Sequence, residues 1–205
     1  MKNRKVLIVS FVLVACLTIG IGFAALTGSL RADGIVHINL DDSNLKVQYK
    51  MTGESAQLTE AGSDSPAVLT ADQYTVEYAS ENTVATVTIK SGVLNKIGDK
   101  VVVHLPIINN STDLDAHVKA PTITMQGNAT TYLTASGVAA SLQGADATGN
   151  VTLKCASNNS GVAGETCLEL TIILNDVPTE SNVTCNFSVA INTESATVNA
   201  DVGNG

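Results

Sequence analysis

The sequence predicts an all-β protein: an antiparallel β-sandwich of the jelly-roll or immunoglobulin-like kind, preceded by an N-terminal hydrophobic signal segment. Of the 205 residues, 44% are hydrophobic, mostly Val, Ile, Leu and Ala interleaved with Thr, Ser and Asn. This composition suits a pleated sheet better than a helix. The apolar residues recur at every second position, in runs separated by turn-rich clusters. Outside the N-terminal segment, no stretch of useful length has the helical period.

Alternating apolar residues predict about nine strands, which fits one sandwich domain over residues 25–205. The polar stretch 52–65 ends at Pro66 and predicts a loop. Pro121 is expected to break the sixth strand, and residues 133–143 fit either a short helix or a strand. The predicted strands fall within residues 26–40, 45–51, 74–78, 87–89, 101–107, 118–125, 151–155, 168–174 and 183–191.

The N-terminus has the features of an export signal. Three basic residues precede an uncharged apolar stretch over residues 6–25, and small residues at Gly22 and Ala24 meet the small-x-small requirement of a signal peptidase. We therefore predict that residues 1–24 are a signal peptide, cut between Ala24 and Ala25. The basic residues are Lys2, Arg4 and Lys5.

Two alternatives to this cleavage stay open from the sequence. Residues 13–16, Leu-Val-Ala-Cys, have the form of a lipobox, in which Cys16 would carry a lipid. The apolar stretch is also just long enough to cross a bilayer as an uncleaved anchor. In each case we expect the protein outside the cytoplasm, in contact with a membrane only through this segment.

The charge balance argues against nucleic acid as a partner. The whole chain has a formal net charge of −8, but three of its basic residues precede the predicted cut. The remainder carries eight Lys and Arg against 19 Asp and Glu, a net charge of −11. Such a surface repels phosphate backbones and anionic lipid heads, and it favours solubility.

No catalytic motif is visible, and we expect no enzymatic activity, no cofactor and no metal. The chain lacks a His-Glu-x-x-His helix, a Gly-x-Ser-x-Gly elbow and a phosphate-binding Gly-rich loop. The three histidines, His37, His104 and His117, are far apart, and a zinc site built from all of them is a minor alternative. His104 is out of phase with its apolar neighbours, which predicts that it faces solvent.

Two acidic clusters could hold a hard cation through their oxygens, but turn formation explains both. They are residues 41–44, Asp-Asp-Ser-Asn, and the pair Asp113 and Asp115.

Three cysteines follow the export segment, and an exported protein is permitted a disulfide. Cys155 and Cys167 flank a loop and could close the base of a hairpin, which is the pairing we favour. Cys155 and Cys185 share the inward parity of their predicted strands, which makes them the second possibility. Three reduced thiols are the third.

Two groups of residues carry a family resemblance. The export segment runs into Gly22-Phe-Ala-Ala-Leu-Thr27, followed by Gly28-Ser-Leu30. Further along, Ile97-Gly-Asp-Lys-Val101 leads through a strand to Ile108-Asn-Asn-Ser-Thr-Asp-Leu-Asp-Ala116. Together these resemble the TasA/camelysin family of secreted bacterial matrix-fibre proteins, which carry a SipW-type signal peptide. The match covers about a third of the chain, and Ile97 and Ser111-Thr112 depart from the family's pattern.

The second group also has a physical interpretation of its own. Gly98-Asp99 predicts a tight turn into a strand, and Asn109-Asn110 predicts the left-handed backbone needed to leave it.

The resemblance implies a jelly-roll domain that polymerises by strand donation, in which the N-terminal strand of one subunit fills a groove in the next. Residues 26–40 suit this role because they follow the predicted cut and alternate cleanly. The alternative is that they form the first strand of their own sandwich. The residues expected to fill the groove are Leu26, Leu30, Ala32, Val36, Ile38 and Leu40.

The leading functional hypothesis is therefore a structural subunit of an extracellular fibre or biofilm matrix that associates with copies of itself. The second is a monomeric immunoglobulin-like module, held at the cell surface by a lipid or helix and binding a wall or host ligand. The third is a secreted metalloprotease of the camelysin kind.

Overall fold

The computed structural model describes residues 44–127, 133, 137–176 and 185–196, all of which belong to one compact unit. The predicted all-β architecture is confirmed in these residues, which form two antiparallel sheets. No helix in them is long and apolar enough to cross a membrane. In chain order the strands are β1 Val47–Tyr49, β2 Ser55–Thr59, β3 Ala67–Val68, β4 Tyr74–Ala79, β5 Val84–Ile89, β6 Lys100–Asn109, β7 Ala116–Gln126, β8 Val138–Leu142, β9 Val151–Leu153, β10 Glu165–Ile173 and β11 Cys185–Ser195.

The first sheet, sheet A, has the strand order β3-β2-β6-β10-β8. Its longest strand, β6, pairs along one edge with β10. Along the other edge β6 pairs with β2 through residues 100–104 and with β1 through residues 107–109. The second sheet, sheet B, has the order β4-β5-β11-β7-β9. In the described residues the edge strands are therefore β3, β8 and β1 in sheet A, and β4 and β9 in sheet B.

The core lies between the inner faces of the two sheets. In β6 the inward residues alternate with outward ones as predicted, and Val103 and Leu105 have no exposed surface. Strand β10 behaves in the same way, while Phe187 of β11 fills the core from sheet B. Burying a side chain of this size stabilises the fold by about 1.5–3 kcal/mol. The alternation of apolar residues is thus the main determinant of which face each strand presents.

Tyr49 links the two sheets directly. It lies on β1 of sheet A, is 1% exposed, and its hydroxyl donates to the carbonyl oxygen of Val189 on β11, 3.2 Å away. Burial and the neighbouring Tyr78 raise the pKa of Tyr49, so this hydroxyl stays protonated and keeps its donor.

The expected loop over residues 52–65 is wrong in part, because β2 lies within it. Only Ala56 and Leu58 of this strand are apolar, so local alternation is too short to identify it. Pairing with β6 defines the strand, because Ala56 lies opposite Val103 and Leu58 lies opposite Val101.

Pro121 does not break its strand, contrary to expectation. Strand β7 continues from Ala116 to Gln126, and the register with β11 shifts where Ala120 and Pro121 stand opposite the single residue Ile191. Such a bulge accommodates a residue that has no N–H group to donate. The ambiguous stretch 133–143 contains a strand, β8.

The connection from β4 to β5 is strained. Ser80, Glu81 and Asn82 have φ angles of 49°, 57° and 63°, three consecutive left-handed residues without a glycine. This conformation costs a non-glycine residue about 1–2 kcal/mol. It is held in place because the Asn82 carbonyl accepts from the Tyr49 N–H at 2.7 Å.

We predict that Glu81→Gly stabilises the protein by about 0.5–1 kcal/mol. Glycine removes the left-handed penalty, and its greater freedom in the unfolded chain offsets only part of the gain. Glu81 is exposed, so no packing is lost. Urea denaturation of both proteins measures the effect. Asp113→Gly, at an exposed position with an ordinary φ, is the control and should show no gain.

Candidate functional site

Several predicted residues lie outside the described part of the chain. They are the signal peptide 1–24, the cut between Ala24 and Ala25, Cys16, His37, residues 41–43, and the donor residues Leu26, Leu30, Ala32, Val36, Ile38 and Leu40. What was inferred about them stays a prediction.

The favoured Cys155–Cys167 disulfide is not formed, and the three described cysteines are free thiols. Cys155 is buried in the core. Cys167 shares the parity of Glu169 and Thr171 on β10, so it lies on the outer face of sheet A while its neighbour Leu168 points inward. The two side chains therefore lie on opposite sides of a sheet, which a disulfide cannot span.

The second pairing, Cys155–Cys185, is excluded by distance rather than by face. Cys155 lies beside Asp115, whose carbonyl accepts from the N–H of Ala196, just past the C-terminal end of β11. Cys185 begins β11, a strand of 11 residues, so the two cysteines are about 30 Å apart. Burial raises the pKa of Cys185 to about 11, which keeps that thiol protonated.

The described histidines cannot share a zinc ion. His104 lies on the outer face of sheet A, as its phase predicted, and His117 on the outer face of sheet B. The core separates them. In the part of the chain that the structure describes, no three His, Cys, Asp or Glu side chains group in a way that could hold a metal ion.

His104 instead belongs to a row of polar side chains across three strands. Its Nδ1 lies 3.4 Å from the Ser55 hydroxyl on β2, and its Nε2 lies 3.3 Å from Oε1 of Glu169 on β10. The same carboxylate oxygen accepts from Gln143 at 2.8 Å. Strand register creates this row, because Ser55, His104 and Glu169 are direct cross-strand partners. The sequence offered only one signal for it, the out-of-phase histidine.

The order hydroxyl, imidazole, carboxylate is also that of an acyl-transfer triad, so its surroundings matter. Such a site needs free N–H donors to stabilise an oxyanion. Strand β6 is paired along both edges at His104, so its backbone donors face neighbouring strands rather than the Ser55 hydroxyl. We therefore assign the row a structural role, in which it joins three strands on the outer face.

The Gly98-Asp99 turn is built as expected, and its carboxylate is buried. Gly98 has a φ of +93°, and Asp99 is 3% exposed. The Asp99 carboxylate accepts from the N–H groups of Ala61, Asn95 and Lys96 at 2.8–2.9 Å. Burial opposes ionisation, but these three donors outweigh it and lower the pKa of Asp99.

At the other end of β6, the expected left-handed backbone at Asn109 and Asn110 is wrong, because neither residue has a positive φ. The side chain of Asn109 is instead fully buried, and its amide donates to the carbonyls of Leu114 and Leu153 at 2.9 and 3.0 Å. Its Oδ1 accepts from the N–H of Ser111 at 3.0 Å. Asn109 therefore joins the ends of three segments rather than forming a turn by its own conformation.

Asp115 is a structural anchor and not half of a cation site. Asp113 is exposed, whereas Asp115, the residue before β7, is 5% exposed. The Asp115 carboxylate accepts from Lys154 Nζ at 2.7 Å, from the Cys155 N–H at 2.9 Å and from Asn158 Nδ2 at 3.1 Å. Burial opposes ionisation, yet these donors lower the pKa of Asp115 to about 2.

Among the described residues, the longest strand edge without a partner strand belongs to β7. Strand β9 pairs only with residues 116–118 of β7, so residues 119–126 have no partner strand on that side among the residues described. Ile123 and Met125 point inward from this edge but are only partly buried. Strand β8 of sheet A faces this edge, and its Val138 and Ala140 are partly buried as well. We call the boundary between the β7 edge and β8 the seam. The backbone groups and the apolar side chains here suit an added strand.

Comparisons of the chain with protein-family models, with curated proteins and with solved structures find no match.

We predict that Asp115→Asn destabilises the protein by about 1–3 kcal/mol, the cost of weakening buried, charge-assisted hydrogen bonds. Because the pKa is about 2 when folded and ordinarily 3.8, the stabilisation is complete above about pH 4 and is lost as the pH falls through 2. Chemical denaturation at pH 7 and pH 3 should therefore show a smaller difference between wild type and variant at pH 3. An equal difference at both pH values would contradict this, and Asp113→Asn is the exposed control.

Proposed function

We propose that this protein is a secreted, non-enzymatic subunit of an extracellular fibre or matrix, built on a jelly-roll sandwich and assembled by strand donation. The observation that carries the proposal is the edge of β7 over residues 119–126, which no strand in the described residues pairs. The resemblance to the TasA/camelysin family supports it. The donor would be residues 26–40 of a second copy, and the acceptor would be the β7 edge.

The donor matches the acceptor in length and in pattern. Fifteen residues are available for an edge of eight, so the segment can cover it completely. An added strand would pair with N–H and C=O groups of this edge that no described strand pairs. Its apolar side, which includes Leu30, Ala32 and Val36, would cover the seam where Ile123 and Met125 are partly buried.

The charge of the protein is compatible with this mode of assembly. Acidic subunits with a net charge of −11 repel one another in general, which limits non-specific aggregation. Strand addition depends on backbone hydrogen bonds and buried apolar groups, which this repulsion opposes only weakly at physiological ionic strength. Assembly would therefore be specific to the edge.

A second candidate function, a monomeric surface module that binds a wall or host ligand, has one observation in its favour. The outer face of sheet A has a polar cleft of about 420 Å³ beneath the β2–β3 connection. Lys100 and His104 lie on its floor, and Asp64 lies on the connection above. If the protein stays monomeric, this cleft becomes the leading functional surface.

We expect residues 25–205 to form filaments visible by negative-stain electron microscopy, and residues 41–205 to form none. The truncated chain should regain stability when a synthetic peptide of residues 26–40 is added, because the peptide fills the open edge. A peptide with Leu30→Lys and Val36→Lys is the control and should not bind. If residues 25–205 stay monomeric at all concentrations while the truncation unfolds, the segment is part of its own sandwich.

The acceptor edge can be tested separately with two neighbouring variants. Met125→Lys places a charge in the seam and should abolish filaments, since an inward-pointing charge blocks strand addition. Thr124→Lys places the same charge on the exposed outer face of β7 and should leave filaments intact. Circular dichroism of both variants checks that the monomer is folded. Filaments from a folded Met125→Lys variant would exclude the β7 edge as the acceptor.

A further inference from the structure

At the opposite edge of sheet B, the structure gathers three of the four tyrosines of the chain around one carboxylate. Tyr74 and Tyr78 point inward from the edge strand β4, and Tyr49 lies beneath them on β1. The ring centroids of Tyr49 and Tyr78 are 5.7 Å apart. Glu54 approaches from the β1–β2 connection. Aromatic residues make up only 3% of the chain, so this corner holds a large share of them.

Two buried oxygen atoms in this corner have no hydrogen-bond partner. They are Oε2 of Glu54 and the hydroxyl oxygen of Tyr78. Buried polar atoms are nearly always satisfied in folded proteins, and a carboxylate oxygen requires a donor most of all. None of the ion pairs in the described residues involves Glu54. The buried carboxylate oxygen of Glu54 therefore lacks a donor.

A cation suits the corner as this donor, because the carboxylate and the faces of the tyrosine rings both attract positive charge. Tyrosine rings present negative faces to a cation, and the carboxylate adds an ionic partner. Burial, then the charge of Glu54 and the neighbouring Tyr74, raise the pKa of Tyr78 to about 12. Burial and Glu54 also raise the pKa of Tyr74, so both phenols stay neutral at physiological pH.

We propose that Glu54, Tyr74 and Tyr78, backed by Tyr49, form a binding site for an organic ammonium group. The carboxylate accepts an N–H bond from the ammonium, and the rings stabilise its charge and any carbon attached to it. A free amine and a lysine side chain of another protein share this chemistry. The site lies on β4, which the order of sheet B separates by two strands from β7, so it does not depend on strand donation.

The test is a titration of the purified, exported protein with methylammonium chloride, followed by NMR of isotope-labelled tyrosine rings. Saturable shifts of the Tyr74 and Tyr78 signals are expected, whereas sodium chloride at equal ionic strength should produce none. No saturable shift would overturn the proposal. Tighter binding of a short lysine peptide than of methylammonium would support a protein lysine as the natural ligand, and equal binding would support a free amine.

Matched variants separate the site from a general charge effect. Glu54→Gln keeps the size of the side chain and should weaken binding about tenfold or more, the loss expected for a charge-assisted hydrogen bond. Glu77→Gln removes the same charge next to Tyr78 in sequence, on the exposed face of β4, and should leave the affinity unchanged. Equal weakening by both variants would show that general attraction, and not this site, binds the amine. Tyr78→Phe keeps the ring and should still bind.

Discussion

The rest of the fold depends on strand β6 and on the polar side chains that fix its two ends. The strand alternates between fully buried and outward residues along its length, and it carries β10 on one edge and β1 with β2 on the other. Asp99 holds the chain that enters it, and Asn109 holds the chain that leaves it. Because both side chains are buried and fully hydrogen-bonded, they specify where the strand begins and ends.

The same sheet register also creates the surface features of the protein. Ser55, His104 and Glu169 meet because three strands align them, and the tyrosine corner forms because β1 and β4 approach from different sheets. Neither group is close in sequence. Side chains that are ordinary in isolation acquire specific surroundings only when the strands pair, so both features follow from topology.

The two sheets bury their inner faces unevenly, and both proposed binding surfaces lie where this burial is incomplete. Around β6 the inward side chains are completely covered, whereas Ile123 and Met125 at the β7 edge are only partly covered. A covered face contributes to stability, while a partly covered face beside an edge that no described strand pairs can be stabilised by an added strand. At β4, the partly covered residues are tyrosines beside a carboxylate, which suits a cation instead of a strand.

The all-β class, most strands and the face that each strand buries can be predicted from the residues alone, because a period of two is a local property of the sequence. The sequence predicted the outward position of His104 for the same reason, and the Gly98-Asp99 turn from the turn preference of those two residues, which is also local. Strand pairing was needed to establish that β2 exists, that Pro121 lies in a bulge, and that Cys155 and Cys167 face opposite sides of a sheet. It also decided that Asp115 is buried and that Glu54 lies among tyrosines. These features depend on pairing between distant residues, and the energy of such contacts cannot be read from local alternation.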